Sequence, residues 1–433
     1  MSRGAVGVGL LGCGTVGGAL VSLLHAEAEV IAARTGVRLE LARVAVKDPS
    51  KARPPSLAQN LVTGDALAVV TDPGVHVVVE LIGGLEPARS LVRKALEAGK
   101  PVVTANKELL AESGSELFEV AAAAGLDLLY EAAVAGAIPL VRPLRESLAG
   151  ERIRRVMGIV NGTTNYILTR MSEDGVSYDE AVSEAQALGY AERDPTADVG
   201  GHDAAAKMAI LSSLAFGQDV LSSDVYREGI ADLATADVAF ARRLGYEVKL
   251  LGVAERAAEP AGPIAVRVHP ALVPGSHPLA TVRGSFNAVF IEGEATGELM
   301  LYGRGAGGPP TASAVLGDLI DAAHNLQSGG RGRVVTQERA RIRPMDELRS
   351  QYYVSLYVVD QPGVLAAVAG VFGEHGVSIR AMEQLGLRDE ARLVFITHQA
   401  TERDVQATLA ALRKLWAVES IGGLLRVAGG EQA

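Results

Sequence analysis

The chain of 433 residues carries a net charge of -10, with 48% hydrophobic and 21% charged residues. This length and composition provide enough apolar material for two or three folded domains. The negative charge and the scattered lysines and arginines argue against a nucleic-acid partner. A single cysteine, Cys13, excludes an internal disulfide and a thiolate metal cage, and indicates a reducing compartment.

The uncharged run from Gly4 to Leu24 has the length of a secretory signal or a membrane span. It contains seven glycines, which suit a strand and a tight turn better than a membrane helix. We therefore expect a soluble protein of the cytoplasm with no membrane partner.

A nucleotide-binding pattern opens the chain. Ala5 to Leu11 predict a buried strand, GCGTVG follows at positions 12–17, and Gly18 to Arg34 predict a helix. In this strand–turn–helix setting the glycines permit the turn and the close approach of a pyrophosphate, which the helix N-terminus stabilises. The same context disfavours the alternative of a plain glycine-rich turn.

The second strand, Val37 to Val46, ends at Lys47 and Asp48. At this position an acidic residue favours NAD and a cation favours the 2′-phosphate of NADP. Both are present, so the cofactor preference stays open, although Lys51 and Arg53 nearby tilt it toward NADP.

Further strand and helix patterns alternate up to residue 135. They are the strand Val75 to Ile82, the helix Pro87 to Ala98, the strand Pro101 to Thr104, the helix Lys107 to Ala124 and the strand Leu126 to Glu131. Such alternation predicts an α/β fold with a doubly wound, parallel, Rossmann-like sheet over residues 1–135. Lys107 follows a strand at the carboxyl edge, where ligands of this fold bind.

The middle of the chain, residues 136–304, mixes longer helices with strands. The predicted strands are Ile153 to Val160, Val248 to Ala254, Ile264 to His269, Ala288 to Glu292 and Glu298 to Tyr302. We expect an α+β domain with a mixed sheet and helices on one face, used for substrate binding and subunit contact. A helix from Pro309 to Gln327 is expected to return to the first domain, which residues from about 305 to 340 would complete.

The last part of the chain, residues 350–430, follows a βαββαβ pattern. Its elements are the strand Tyr352 to Val359, the helix Val364 to His375, the strands Val377 to Gln384 and Glu390 to His398, the helix Glu402 to Lys414 and the strand Val418 to Val427. This predicts a separate small α+β domain.

The window from Gly189 to Ile210 gathers acidic residues, a histidine and one lysine in otherwise apolar sequence. Pro195 interrupts any continuous helix, so Glu192, Asp194 and Asp198 are expected on an ordered loop. The helix should then begin near His202 or Asp203, with Lys207 one turn inside it. An exposed Asp203–Lys207 pair is the alternative reading, but titratable groups in apolar settings favour a functional site. Opposing effects on Lys207 leave its charge state open.

Six motifs of the chain closely resemble homoserine dehydrogenase, in the form that carries a C-terminal ACT domain. They are GCGTVG at 12–17, TANKELLA at 104–111, YEAAVAGAIP at 130–139, NGTTNYIL at 161–168, the acidic window, and GRGAGGPPTASAVLGD at 303–318. The match covers nearly the whole length. One departure is Arg193, where many members of the family have proline.

The resemblance implies the NAD(P)-linked interconversion of L-aspartate 4-semialdehyde and L-homoserine, on the route to threonine and methionine. Lys207 matches the acid/base residue of the family, a role that reducing an aldehyde requires. The implied substrate-binding residues are Gly189, Glu192, Asp198, Asp203, Lys107 and Thr163. An N–H-rich helix start at 162–164 would suit the substrate carboxylate.

The resemblance also implies the remaining ligands. The expected cofactor residues are Gly12, Gly14, Thr15, Val16, Gly17, Lys47, Thr104, Lys107 and Gly305. A monovalent cation, Na⁺ or K⁺, would bind Glu131, Val134, Gly136 and Ile138, mostly through carbonyl oxygens. The ACT domain implies threonine as effector near the turn 360–363 at a subunit interface, in a homodimer or homotetramer. Deleting residues after about Glu347 would then leave activity and abolish inhibition.

Two alternatives remain from the residues. A 2-hydroxyacid dehydrogenase can also join a nucleotide domain to an ACT domain, but no histidine of this chain lies in the required catalytic motif. A non-catalytic sensor of nucleotides and amino acids is the other alternative.

Overall fold

The computed structural model describes residues 4–257, 262–330, 337–387 and 390–429. The chain divides into two compact units. The first contains Met1–Ile153, Ala206–Asp224 and Glu292–Ala340, and the second contains Arg154–Ala205, Val225–Ile291 and Arg341–Ala433. Each unit is described in turn.

The strands, in chain order, are β1 (Val6–Leu11), β2 (Leu39–Ala45), β3 (Val62–Thr63), β4 (Val77–Glu80), β5 (Val102–Thr104), β6 (Leu128–Leu129), β7 (Ile153–Ile159), β8 (Tyr226–Arg227), β9 (Tyr246–Arg256), β10 (Ile264–Pro274), β11 (Phe286–Gly293), β12 (Gly297–Arg304), β13 (Arg349–Val359), β14 (Ile379–Leu387), β15 (Glu390–Thr397), β16 (Ala400–Thr401) and β17 (Val418–Val427). The α-helices are α1 (Thr15–Ala26), α2 (Ala28–Thr35), α3 (Ala66–Thr71), α4 (Ala88–Glu97), α5 (Lys107–Ala124), α6 (Gly162–Asp174), α7 (Tyr178–Ala187), α8 (Thr196–Val199), α9 (His202–Phe216), α10 (Thr235–Arg243), α11 (Gly308–Ser328), α12 (Val364–Glu374) and α13 (Glu402–Leu412).

A parallel sheet forms the centre of the first unit, with strand order β3-β2-β1-β4-β5-β6. The chain runs outward from β1 to one edge and then from β4 to the other. This confirms the predicted doubly wound sheet. The change of direction lies between β1 and β4, and ligands of such sheets bind at the carboxyl ends of the strands at that point.

Apolar clusters cover both faces of this sheet. On one face Leu20 of α1 packs in the same cluster as Val315 and Leu319 of α11. On the other face the cluster contains Leu91 of α4 and Leu117 of α5. The late helix α11 therefore lies in the core that the first residues of the chain begin.

A mixed sheet forms the centre of the second unit, and its strands follow the order β11-β7-β9-β10-β17-β13-β15-β14. Strands β9 and β10 form a long antiparallel hairpin, from Tyr246 paired with Pro274 to Arg256 paired with Ile264. Helices α6 and α10 pack against β9. The predicted combination of a mixed sheet and packed helices is confirmed.

The βαββαβ segment forms β13, α12, β14, β15, α13 and β17, as predicted, with its own core of Tyr352, Phe372, Phe395 and Leu409. Its sheet, however, is not separate. Strand β17 pairs in parallel with β10 through Ala271↔Arg426 and Leu272↔Val427. The segment therefore has its own core but shares a sheet with the middle of the chain. The pairing covers edge backbone groups of β10 and β17 that would otherwise be exposed.

Two predicted elements near the N-terminal sheet differ in the structure. The single helix expected over Gly18 to Arg34 is two helices, α1 and α2, bent by 72° at Glu27. After the bend, Ile31 of α2 packs in the same apolar cluster as Leu20 and Leu24 of α1. A straight helix would carry residue 31 away from that cluster. Strand β6 is shorter than predicted, because a 3₁₀ turn begins at Glu131.

No single helix within the described residues is long and apolar enough to cross a membrane. Helices α1 and α2 together have the length and apolar composition of a span, but the chain bends by 72° between them.

Candidate active site

The glycine turn after β1 needs each of its glycines for a different reason. Gly12 has φ +94°, and a Cβ there would lie 2.6 Å from the Leu81 carbonyl oxygen. A Cβ on Gly17 would lie 2.4 Å from the Gly12 carbonyl oxygen, so helix and turn could not pack as closely. Gly14 is exposed, and its Cβ position meets no atom within 4 Å. Gly12 and Gly17 therefore shape the turn, and Gly14 leaves open space in front of it.

Helix α1 begins at this open side without a side-chain cap. Gly14 is its N-cap residue, and no acidic residue occupies its first turn. The first backbone N–H groups of a helix have no partner within the helix and attract an anion. A second glycine-rich loop lies alongside, because the Cβ position of Gly308 is 3.2 Å from the Thr15 carbonyl oxygen. The turn and the loop at 305–308 thus fit the pyrophosphate of a dinucleotide.

The acidic and the basic side chains after β2 have different hydrogen-bond partners. The Asp48 carboxylate accepts hydrogen bonds from the N–H and hydroxyl of Ser50, at 3.0 Å and 2.6 Å. Arg53 donates to the carbonyls of Lys51 and Asp48, at 2.6 Å and 3.0 Å. Lys47 is exposed. The acidic side chain is therefore used within its own turn, whereas two cations remain at the position that reads the adenosine ribose.

Cys13 lies within reach of the Arg53 charge. Burial raises the pKa of the Cys13 thiol, and the charge and hydrogen bond of Arg53 only oppose that change. A raised pKa disfavours the reactive thiolate. The cysteine fits the structural role of a small residue in the turn.

A buried hydrogen-bond network lies at the carboxyl edge of the same sheet. Glu80, fully buried at the end of β4, accepts from the N–H groups of Ile82 and Gly83 and from the Thr104 hydroxyl at 2.6 Å. The Thr104 hydroxyl accepts from the Asn106 N–H at 3.0 Å. The network fixes the start of α5.

Lys107 is the first residue of α5, and Asn106 caps this helix through the Leu109 N–H at 3.1 Å. Lys207 is the sixth residue of α9. Leu110 and Ile210, each three residues after one of these lysines, line the same cavity of about 220 Å³ in the first unit. The helices that carry the two lysines therefore border the same cavity.

Buried hydrogen bonds hold the predicted cation loop in place. The Glu131 carboxylate accepts from the N–H groups of Leu140, Val141 and Arg142, at 2.5, 2.8 and 2.9 Å. Its own N–H donates to Asp318 at 2.7 Å, and burial raises the pKa of that aspartate to about 7. The Glu131 side chain therefore stabilises the start of a helical turn.

The loop also contacts the second glycine-rich segment. Gly136 has φ +54°, and a Cβ there would lie 2.4 Å from the Gly305 carbonyl oxygen. The Ala137 N–H donates to the Arg304 carbonyl at 3.0 Å. The loop that contains Val134 and Ile138 is thus joined to the loop expected at the cofactor. Among the described residues, no group of three or more His, Cys, Asp or Glu side chains could hold a metal ion.

An acidic cluster forms in the second unit around Asn161. The amide nitrogen of this buried residue donates to Asp198 at 2.7 Å and to Asp203 at 2.8 Å. Its amide oxygen caps α6 through the Thr164 N–H at 2.9 Å. One side chain therefore holds two of the predicted carboxylates together, a role that the sequence analysis missed.

Asp198 lies in the helical turn α8 and not on a loop, so that expectation was wrong. The Asp198 and Val199 N–H groups both donate to the Pro195 carbonyl at 2.9 Å. Proline prevents a helix from continuing through it, but its fixed φ angle is compatible with the start of a new one. Helix α9 then begins at His202, as predicted.

The other predicted substrate residues flank this cluster. The Thr163 hydroxyl donates to the Tyr190 carbonyl at 2.6 Å, so it joins the start of α6 to the segment after Gly189. Gly189 has φ +74°, and Glu192 is exposed. The backbone carbonyl of Glu192 accepts a hydrogen bond from the Gln186 side chain at 3.1 Å. The side chain of Glu192 lies at the surface.

The missed residues share a detectable signal. Glu80 is the last residue of the apolar strand β4, and Asn161 directly follows the apolar residues 157–160 at the end of β7. Such a residue is costly to bury unless it is hydrogen bonded. Each could have been proposed as the centre of a network.

Comparisons with known proteins agree along the chain. Residues 12–131 match the NAD binding domain of homoserine dehydrogenase, residues 139–320 match homoserine dehydrogenase, and residues 352–417 match the ACT domain. The homoserine dehydrogenase of Corynebacterium glutamicum is 49% identical over 98% of this chain and 96% of its own length.

Solved structures give the same result. A homoserine dehydrogenase from Thiobacillus denitrificans has a TM-score of 0.92 and 43% identity, with 98% of each chain covered. A hyperthermophilic archaeal homoserine dehydrogenase in complex with NADPH has a TM-score of 0.62 and 29% identity, covering 74% of this chain and 98% of its own. The chain belongs to the homoserine dehydrogenase family, whose members are nicotinamide-dependent oxidoreductases that act on a CH–OH group.

Proposed function

We propose that this chain catalyses the reversible NAD(P)-dependent reduction of L-aspartate 4-semialdehyde to L-homoserine, on the route to threonine and methionine. The observation that carries the proposal is the pair of carboxylates, Asp198 and Asp203, held by Asn161. Helix α9 contains both Asp203 and Lys207, which are four residues apart and share one helix face. A carboxylate and an amine on one face suit a substrate with an ammonium group and a reacting carbonyl.

In this mechanism the bound nicotinamide supplies the hydride. The Lys207 Nζ donates a proton to the oxygen of the substrate as the carbonyl is reduced, and accepts it in the reverse direction. The Glu192 and Asp203 carboxylates bind the substrate ammonium group. Asp198 acts through Asn161, which keeps the Asp203 side chain in place. Lys107 contributes a second positive charge at the carboxyl edge of the parallel sheet, where ligands of this fold bind.

The substrate carboxylate would bind near the start of α6 and Gly189. The Thr163 hydroxyl already donates to Tyr190, so it can still accept a hydrogen bond but not donate a second one. Backbone N–H groups at 162–163 are therefore the better partners for an anion.

The residues after β2 favour NADP over NAD. Asp48 is used by Ser50, whereas Arg53 and Lys47 can bind a 2′-phosphate. The NADPH complex of the archaeal relative is consistent with this preference.

A monovalent cation would bind carbonyl oxygens of the loop at 131–138. The Glu131 carboxylate already accepts hydrogen bonds from three N–H donors, which supports ligation mostly through backbone oxygens. Such an ion would stiffen the contact between Gly136 and Gly305.

Threonine would act as effector at the exposed turn 360–363. Gly363 has φ +90° and leaves α12 without a side-chain cap, so the helix start can accept a carboxylate. Truncation after Glu347 is a poor test of this role. It would remove β17 from the sheet and leave the partly exposed Glu228 without Arg426. It would also leave the buried Asp237 without Arg392, and an unpaired buried charge is strongly destabilising. A substitution at Gly363 is the better test.

Turnover of the intact enzyme tests the central reaction. We expect L-homoserine to reduce NADP⁺ at alkaline pH, measured as absorbance at 340 nm, and L-lactate to produce no signal. Absence of turnover with homoserine would overturn the proposed function, and turnover with lactate would favour a 2-hydroxyacid dehydrogenase.

A further inference from the structure

A cavity of about 410 Å³ lies entirely within the second unit. Its lining residues come from β7, β9, β10, β17 and the start of β13, which are neighbours in one sheet. Met157, Leu251 and Val253 form an apolar part of the lining. None of the residues assigned to the reaction lines this cavity, so it requires an explanation of its own.

The charged lining is strongly basic. It consists of Arg155, Arg267, Arg349, Arg426 and a single acidic residue, Glu255. Arg426 already has partners, because it donates to Glu402 at 2.7 and 2.8 Å and to Glu228 at 2.8 and 2.9 Å. Arg155, Arg267 and Arg349 add three further guanidinium groups, so arginines outnumber carboxylates among the lining residues.

Arg267 is prepared for a second partner. Its Nη1 donates to the Glu255 carboxylate at 2.9 Å, and its side chain is only 9% exposed. Its Nε is buried and has no hydrogen-bond partner among the described residues. A buried guanidinium donor without an acceptor costs free energy that an anionic ligand would remove.

His269 offers the complementary group. Its Nδ1 lies 3.0 Å from the Pro270 carbonyl oxygen, which can only accept, so Nδ1 carries the proton and Nε2 is an acceptor. Nε2 is buried without a hydrogen-bond partner within the described part of the chain. Burial, followed by the charges of Arg426 and Arg267, lowers the pKa of His269 well below its usual value. The imidazole is therefore neutral and needs a donor.

We propose that this cavity binds a small organic anion that carries, beside its carboxylate or phosphate, a hydroxyl or ammonium group. The anionic oxygens accept from Arg267, with Arg155 and Arg349 adding positive charge, and the hydroxyl or ammonium group donates to His269 Nε2. The cavity volume is in the range of small-molecule sites. A phosphate ester and a hydroxy or amino acid both have this chemistry, and the experiment below distinguishes them.

An occupant would contact both the dehydrogenase segment and the residues flanking the ACT segment. Arg155, Arg267 and His269 lie within residues 139–320, whereas Arg349 and Arg426 flank residues 352–417. Strands β10 and β17 pair through two residue pairs only. A ligand at this short junction stabilises the attachment of the ACT segment, and it acts independently of any effector at the turn 360–363.

The test measures saturable binding to the full-length protein by calorimetry and by the thermal midpoint. The probes are glycerol 3-phosphate, methyl phosphate and L-lactate. We expect one of the two chemical classes to bind with an increase in midpoint. If phosphate esters bind, glycerol 3-phosphate should bind about 10-fold more tightly than methyl phosphate, because only the former has a hydroxyl that can donate to the buried His269 Nε2, and a buried acceptor left unsatisfied is costly.

Variants locate the binding. Arg267→Met and Arg155→Met should each weaken it by about 10-fold or more, and His269→Phe should remove the preference for the ligand with a donor. Arg403→Met, which removes an exposed arginine paired with Asp346, and Arg53→Ala, which alters the cofactor turn, should leave binding unchanged. If Arg267→Met does not fold, Arg155→Met decides. No saturable binding of any probe, or binding that survives these substitutions in the cavity, overturns the proposal.

Discussion

The cofactor turn of the first unit and the acidic cluster of the second unit are built in different ways. The turn is made from backbone: φ angles at glycine and close approaches that a single methyl group would block. The cluster is made from side chains, because Asn161 joins carboxylates that lie 37 and 42 residues further along the chain. Damage to the turn should therefore act on folding and cofactor affinity, and damage to the cluster on substrate affinity and turnover.

The largest effect on the turn is expected from Gly17→Ala. The added methyl group would lie 2.4 Å from the Gly12 carbonyl oxygen, and relieving such an overlap costs about 1–3 kcal/mol. We expect a lower midpoint in denaturant and a strongly raised KM for NADP⁺. Gly14→Ala is the control, because its Cβ enters open space: stability should be unchanged while the KM for NADP⁺ rises. Equal losses of stability in both variants would contradict the backbone account.

On the cluster side, Asn161→Ala should lower kcat/KM for homoserine by about 10- to 100-fold, since hydrogen bonds to charged groups contribute about 1.5–3 kcal/mol. Asn161→Ser separates two roles, because serine can still cap α6 but cannot hold both carboxylates. It should fold well and remain impaired.

Ser177→Ala provides the matched control for capping. It removes the N-cap of α7 in the same unit without touching the cluster. Its kcat/KM should equal that of the parent enzyme. A fully active Asn161→Ser variant would show that the amide only caps a helix.

A smaller effect is expected at the ribose position. Arg53→Ala should reduce the preference for NADP over NAD by about 10-fold, through loss of a charge-assisted hydrogen bond. Arg34→Ala removes an exposed arginine from the last turn of α2 and should leave the ratio of the two kcat/KM values unchanged. An unaltered ratio in Arg53→Ala would remove this residue from cofactor selection.

The smallest effect concerns a charge buried behind α6. Lys249 donates to the Val282 carbonyl at 2.5 Å and to Asn165 at 3.2 Å, and burial lowers its pKa from 10.5 to about 8. Between these pH values the unfolded chain binds the proton and the folded protein does not, so this group makes the free energy of unfolding rise with pH. Chemical denaturation of Lys249→Met should lose that contribution between pH 8 and pH 10. Exposed Lys94→Met should retain it, and identical pH profiles for the parent and Lys249→Met would contradict the burial argument.

The two regions also differ in how far the sequence predicts them. The glycine turn, Lys107 at the start of α5 and the start of α9 were predicted closely, because these patterns are local. The link from Asn161 to Asp198 and Asp203 depends on tertiary packing. So does the pairing of β17 with β10, which joins the ACT segment to the sheet of the middle domain. The bend at Glu27 was missed for the same reason, since only the position of the core requires it.

The proposed reaction depends most directly on Lys207, and the turnover of Lys207→Ala with saturating L-homoserine and NADP⁺ tests this role. If Lys207 transfers the proton, kcat should fall by a factor on the order of 10²–10⁴, while the thermal midpoint and the affinity for NADP⁺ stay close to those of the parent enzyme. An unchanged kcat would contradict the assignment of Lys207 as the acid/base residue.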